Sequence, residues 1–287
     1  MGRKAMKLPF TIDLAGKVAI VTGAGGVLCS VFSEALAMCG AKVALLGRSE
    51  KPLIHVAGRI TAGGYTAKWY KCNVLVRQDL EECRERILAD FGACDILING
   101  AGGNDPRATT DREYYEPGSF DEGARSFFNL DDEGIAYVFN LNFLGTLLPT
   151  QIFALDMTEK TSSVIINISS MNAFSPLTKI PAYSGAKAAV SNFTRWLAVH
   201  FSKTGIRVNA IAPGFFVTNQ NRSLLFDENG EASMRAGKIL AATPMGRFGE
   251  AEELLGTLLW LISDEASGFV TGIVVPVDGG FSAYSGV

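Results

Sequence analysis

Histidine occurs only twice in the 287 residues, at His55 and His200, and neither matches a motif. Cysteine is sparse and dispersed: Cys29, Cys39, Cys72, Cys83 and Cys94 are an odd set with no two closer than ten positions. That spacing excludes a CxxC metal knuckle and a disulfide framework, so no metal is expected and the thiols suit a reducing, cytoplasmic setting. Charge of one sign is also lacking, with 26 Lys and Arg against 29 Asp and Glu and a net charge of −3. Basic residues are scattered, which leaves no footprint for nucleic acid and points to a small-molecule partner. No run of 18 apolar residues occurs, and the opening MGRKAMKLPF has positive charge but neither an apolar segment nor a small-residue cleavage site, so no membrane partner is expected. Internal repeats, low-complexity tracts and linker-like stretches are absent as well.

What is present is a chain with 48% apolar and 19% charged residues, enough to bury a full core in a single domain over 1–287. Apolar, β-rich runs alternate with helical patterns at 17–23, 41–47, 67–72, 94–100, 163–170, 207–214 and 272–280. Near-continuous apolar strands separated by helices predict an α/β, doubly wound parallel sheet of the Rossmann type, covered on both faces. In such a fold ligands bind beyond the carboxyl ends of the strands. The polar punctuation falls there, at Gly23, Arg48, Asn73, Asn99, Ser170 and Pro213. One stretch, about 103–132, is too long and polar for an ordinary connection and reads as an insertion beside the active-site edge.

The loop TGAGGVLCS (22–30) joins the first strand to a helix. Its glycines would let the backbone approach a pyrophosphate, and the helix N-terminus offers unpaired N–H groups, although glycine turns also join strands to helices for purely structural reasons. After the second strand, Arg48 stands where an acidic residue would normally hold the adenosine ribose, which suits a 2′-phosphate and favours NADP(H), with NAD(H) possible. The alternative for Arg48 is a solvated surface arginine. Tyr183 and Lys187 lie four residues apart in PAYSGAKAAV and so share a helix face. An ammonium beside a phenol of ordinary pKa near 10 is expected to bring it toward the working pH for acid/base transfer. Ser170, ending a strand thirteen residues before Tyr183, could hydrogen-bond a substrate oxygen. With Asn142 these side chains suit hydride transfer at a carbonyl carbon.

In order and spacing, TGAGGVLC, LINGAGG, LNFLG, NISS, YSGAK, NAIAPGFFVT and VPVDGG resemble the short-chain dehydrogenase/reductase family from Lys17 to Gly280. The resemblance implies an NAD(P)-dependent oxidoreductase with Tyr183 as general acid/base, Lys187 as its partner on the nicotinamide ribose, Ser170 orienting the substrate oxygen, and Asn142 holding a water for proton relay. It implies cofactor contacts from Gly23, Gly25, Gly26, Val27, Leu28, Arg48, Asn73, Val74, Asn99, Ala101, Tyr183, Lys187, Pro213, Gly214 and Thr218. Two departures stand out: Val27 and Cys29 occupy the second and third glycine positions of the usual TGxxxGxG pattern, and 40 positions separate Gly102 from Asn142.

Pro149, inside the helical pattern Ile135–Met157, removes an N–H and crowds the carbonyl of Gly145, so a bend is expected just after Asn142. The helix 181–203 is apolar on more than one side, through Ala189, Phe193 and Leu197 and through Val190, Trp196 and Val199, which with the family resemblance implies a homotetramer. The loop, the insertion, SSMNAFSPLTKIPAYS and VDGGFSAYSG resemble the branch of D-mannonate oxidoreductases, or fructuronate reductases. A keto sugar acid would then be the substrate, with Asn104, Arg107, Asn172, Lys179 and Arg222 as candidate contacts. The alternatives are a gluconate- or polyol-type dehydrogenase and a non-catalytic nucleotide sensor on the same fold.

Overall fold

A computed structural model describes residues 11–117, 124–217, 225–226 and 233–286; Thr218 and Arg222 lie outside the described residues, as does 118–123 of the insertion. Seven strands, β1 (Val18–Thr22), β2 (Lys42–Gly47), β3 (Ala67–Lys71), β4 (Ile96–Asn99), β5 (Ser163–Ile168), β6 (Ile206–Pro213) and β7 (Val274–Val277), form one parallel sheet in the order β3-β2-β1-β4-β5-β6-β7. Six fall within an apolar run, and β6 begins one residue before its run at 207–214. Every residue of β1, β4, β5 and β6 is buried, as a sheet covered on both faces requires.

The two-residue period of the strands divides the core into two layers. Ala19, Val21, Val43, Leu45, Ile96, Ile98 and Val164 face α1 (Val27–Met38), α2 (Glu50–Ala62) and a helix near the C-terminal end. Val18, Ile20, Ala44, Leu46, Leu97, Ile165 and Val208 face α3 (Arg77–Asp90) and two longer helical segments that carry the site. The strand order reverses between β1 and β4, opening a crevice at their carboxyl ends.

The first of those segments runs as α4 (Asp132–Phe139), a π turn (Asn140–Leu144) and α5 (Gly145–Met157). The irregularity expected after Asn142 thus takes the form of a widened turn centred on that residue. The hydroxyl of Thr146 donates to the Asn142 carbonyl at 2.9 Å, and Val74 Cγ2 sits only 3.1 Å from where a Cβ at Gly145 would project. By length and composition Asp132–Met157 could cross a membrane, yet 56% of its apolar window is buried within the protein. The second segment is α6 (Pro181–His200), opened by a proline whose fixed φ suits the first helical position. Further α-helices among the described residues are α7 (Met234–Ala241), α8 (Leu255–Ile262) and α9 (Asp264–Ser267).

Both segments are fastened to the sheet by buried side-chain amides. Asn99 Nδ2 donates to Thr150 Oγ1 and to Asn167 Oδ1, each at 2.9 Å, and Asn167 Nδ2 donates to Thr194 Oγ1 at 2.9 Å. Thr150 in turn donates to the Thr146 carbonyl and Thr194 to the Val190 carbonyl, both at 2.8 Å. All four side chains are at most 3% exposed, so losing one partner strands another in a region with no water to replace it. Asn167→Ala is therefore expected to cost ~2 kcal/mol of unfolding free energy. A urea midpoint that falls with unchanged slope would show this, whereas an unmoved midpoint would mean that the network contributes nothing net.

Candidate active site

The crevice is lined first by the β1–α1 loop. Gly23 adopts φ 66°, and a Cβ there would meet the Ala101 amide nitrogen and the Gly100 carbonyl oxygen at 2.9 Å. Thr22 Oγ1 accepts from the amides of Gly100 at 3.0 Å and Ala101 at 3.2 Å, locking the β1 and β4 loops together at the switch point. A Cβ on Gly25 would stand 2.8 Å from Pro52 Cβ, and Gly26 precedes α1 with no side chain capping the first turn, where Val27 and Leu28 lie. Uncapped helix N–H groups behind close-approaching glycines fit the pyrophosphate of a dinucleotide. Cys29 takes up the space below: its Sγ lies 2.1 Å from where a Cβ at Gly100 would be, so the thiol at a position usually held by glycine is accommodated by a glycine opposite. Burial pushes that thiol up to about 12, opposed by the nearby Lys187 charge.

On the adenosine side, Arg48 is exposed and its Nη1 donates to Tyr137 Oη at 3.2 Å, a partner on α4 that no sequence motif marks. Asn73 closes a local turn, its Oδ1 accepting from the Leu75 amide at 3.1 Å, and Val74 is buried against Gly145. Asn99 Nδ2 is committed to the buried network, while its buried Oδ1 is left without a partner. Pro213 ends β6, and Gly214 follows where a Cβ would collide with Asp278 Cβ at 2.5 Å.

The four expected catalytic residues come together on the other side. Lys187 is 4% exposed, donates from Nζ to the Ile168 carbonyl at 2.8 Å, and places Nζ 5.7 Å from the centre of the Tyr183 ring. Burial lowers its pKa to about 8, with the Cys29 thiol opposing. Burial likewise holds the Tyr183 phenol above its ordinary value, while a hydrogen bond with Ser170 pulls it down. The sequence leads one to expect Lys187 to bring the phenol down; instead burial raises it, and Ser170 is the group that counteracts the rise. Asn142 is fully buried, its Nδ2 donating to the carbonyls of Gly103 at 2.7 Å and Val138 at 2.8 Å, its Oδ1 accepting from the Gly103 amide at 3.2 Å. Gly102 lets Asn142 and Lys187 approach, for a Cβ there would lie 2.7 Å from Asn142 Oδ1 and 3.1 Å from Lys187 Nζ.

The insertion folds back on this edge. Asp111 and Arg125 bind each other through two backbone-assisted contacts at 2.8 Å and a side-chain pair at 3.0 Å, and Ala108 packs in one cluster with Ala182, Ala186 and Tyr183. Several side chains expected to face substrate are spent on this folding. Asn104 Nδ2 donates to Thr109 Oγ1 at 3.0 Å, Arg107 pairs with Asp105 at 3.1 Å, and Lys179 Nζ donates to the Asp111 carbonyl at 2.8 Å. Asn172 is 4% exposed with its Oδ1 unpartnered, and its amide donates to Ser170 Oγ at 3.3 Å. Next to the first turn of α6 opens a cavity of about 420 Å³, bounded by the insertion, residues 177–180, Phe215, α7 and Phe281. The contribution of α7 was legible only as two basic residues three positions apart, Arg235 and Lys238, with no motif to mark them.

The description "short chain dehydrogenase" matches residues 17–229 as a family model. An uncharacterized oxidoreductase of Haemophilus influenzae is 61% identical over 284 residues, covering 98% of this chain and 99% of that protein. The uncharacterized oxidoreductase UxuB of Bacillus subtilis is 55% identical over 280 residues, covering 98% and 100%. A crystal structure from Haemophilus influenzae with bound NAD, for which D-mannonate oxidoreductase activity is proposed, superposes with a TM-score of 0.92 at 62% identity, covering 96% of this chain and 98% of that one. Fold, loop, catalytic constellation and relatives agree: the chain belongs to the short-chain dehydrogenase/reductase family and is an oxidoreductase.

Proposed function

We propose that residues 1–287 act as one catalytic domain that transfers a hydride between NAD(P) and a keto or hydroxy sugar acid, with D-fructuronate and D-mannonate as the pair. The observation that carries the chemistry is the convergence of Tyr183, Ser170, Lys187 and Asn142 within one partly enclosed site. Bound nicotinamide supplies or accepts the hydride at carbon. Tyr183 passes the proton to or from the substrate oxygen, and Ser170, already bonded to that phenol, holds the oxygen against it. Lys187 would hold the nicotinamide ribose through its ammonium, and Asn142, fixed by Gly103 and Val138, would hold the relay toward solvent. The sugar-acid assignment is supported by a cavity whose wall, among the described residues, carries Lys179, Arg235 and Lys238 against the one carboxylate of Glu113, and by the activity proposed for the NAD-bound relative. A homotetramer is supported by α6, where Phe143, Phe193, Trp196 and His200 form a run of ring contacts and Trp196 and Val199 are 57% and 75% exposed. Five unpaired thiols fit a cytoplasmic setting.

With reduced cofactor, D-fructuronate should give a kcat/KM at least about tenfold above those of 5-ketogluconate, fructose and acetoacetyl thioesters; preference for any of the others would overturn the substrate assignment. Tyr183→Phe should retain cofactor binding, read by fluorescence titration, and lose about a thousandfold in turnover.

A phenol held above its ordinary pKa is protonated at neutral pH, the form that reduction needs. Reduction is thus expected to hold level through neutral pH and to fall only on the alkaline side, while oxidation, which needs the phenolate, should rise as pH increases. Opposite limbs would assign proton transfer to another group.

Arg48 favours NADP(H), because its planar guanidinium can pair with a 2′-phosphate and the end of β2 carries no carboxylate to repel one. NAD(H), which the relative holds, is accommodated by the same exposed arginine. Arg48→Asp should raise KM for NADPH about tenfold and lower it for NADH. Equal use of both cofactors before and after the change would leave Arg48 a surface residue.

A further inference from the structure

Of the cations that sequence position suggested for a substrate carboxylate, Arg107 and Lys179 are already engaged, and Arg222 lies outside the described residues. Arg107 is shared among Asp105 at 3.1 Å, Asp131 at 3.5 Å and Glu133 at 3.7 Å. Lys179 is tied from both ends: its carbonyl accepts from the Thr110 amide and its Nζ donates to the Asp111 carbonyl, each at 2.8 Å. Among the described residues it is also the one non-glycine with positive φ, at 72°, so its backbone is bent to serve the docking of the insertion. Neither side chain is available without breaking a contact that holds the insertion in place.

Two other cations line the cavity, both on α7. Lys238 is paired with Glu113 of the insertion at 2.7 Å. Arg235, three positions earlier on the same helix, makes no hydrogen bond or ion pair among the described residues. It faces a cavity whose other side includes Ile180, which immediately precedes the helix of Tyr183, and Phe215, two residues past the end of β6. Ile180 stands on the cavity wall three residues before Tyr183, so a keto sugar acid whose ketone meets that phenol can extend past the start of the helix toward α7. A guanidinium there offers two parallel donors to a carboxylate, and lacking a competing partner it need break no ion pair to bind.

We propose that Arg235 is the residue that recognises the substrate's carboxylate, and that the Glu113–Lys238 pair keeps the neighbouring ammonium from competing for it. This rests on the sugar-acid reading above. The discriminating measurement is the ratio of kcat/KM for D-fructuronate to that for D-fructose, which carries a hydroxymethyl group in place of the carboxylate. Arg235→Ala, a change at an exposed position, should lower that ratio about 30-fold, chiefly through KM, and Arg235→Lys should restore part of it. Lys238→Ala, whose charge is already spent on Glu113, should move the ratio less than about threefold. Thermal midpoints near that of the unaltered protein would confirm that the variants fold. If the unaltered protein does not prefer fructuronate to fructose, the sugar-acid reading fails first. If it does, and Arg235→Ala keeps the ratio or Lys238→Ala is the change that collapses it, the role of Arg235 is overturned while the substrate class stands.

Discussion

The geometry of the site depends on how two helical segments are held against β4 and β5. Apolar packing alone would fix their distance from the sheet and leave their sliding along it weakly determined, because dispersion and burial are not directional. Asn99 and Asn167 supply direction. Each amide reaches from a buried strand to a threonine on a helix, one toward the segment bearing Asn142 and the other toward the helix bearing Tyr183 and Lys187. Because the two asparagines also bond each other, the registers of both segments are set by one connected unit.

Within that frame, the site gathers groups that would individually resist being gathered. Lys187 carries its ammonium into a buried position where it donates to the Ile168 carbonyl, and the loss of solvent lowers its pKa. Asn142 is held in the turn of the helix whose hydrogen bonding is widened, so its side chain can bond backbone groups on two sides of it. Glycine at 102 removes the one side chain that would have separated the two. Charge, irregular helix and missing Cβ are three solutions to the same crowding.

The sheet was legible because its signal is simple: seven apolar runs separated by helices translate directly into seven strands, and the alternation within each run sorts residues between two core layers. Tyr183, Ser170, Lys187 and Asn142 were legible because their spacing is constrained by strand and helix geometry. The substrate side was not. Arg107 and Lys179 have the right charge in the right segment, but whether a cation is free depends on what the insertion folds against, which local sequence does not encode. Asn99 shows the same limit in reverse, since a strand-end asparagine that looks like a ligand contact is committed inward by partners 51 and 68 positions away. Tyr137 and Arg235 carry no motif at all; only the folded chain brings them to Arg48 and to the cavity.

The meeting of Cys29 and Gly100 has a consequence for how such a site can change over generations. The sulfur of one occupies the volume that any side chain on the other would need, so the two positions cannot both be enlarged. The Thr22 carbonyl oxygen lies 2.9 Å from the same Cβ position, so a smaller residue in the loop would not by itself open the end of β4 to a side chain, and the tighter constraint falls on Gly100.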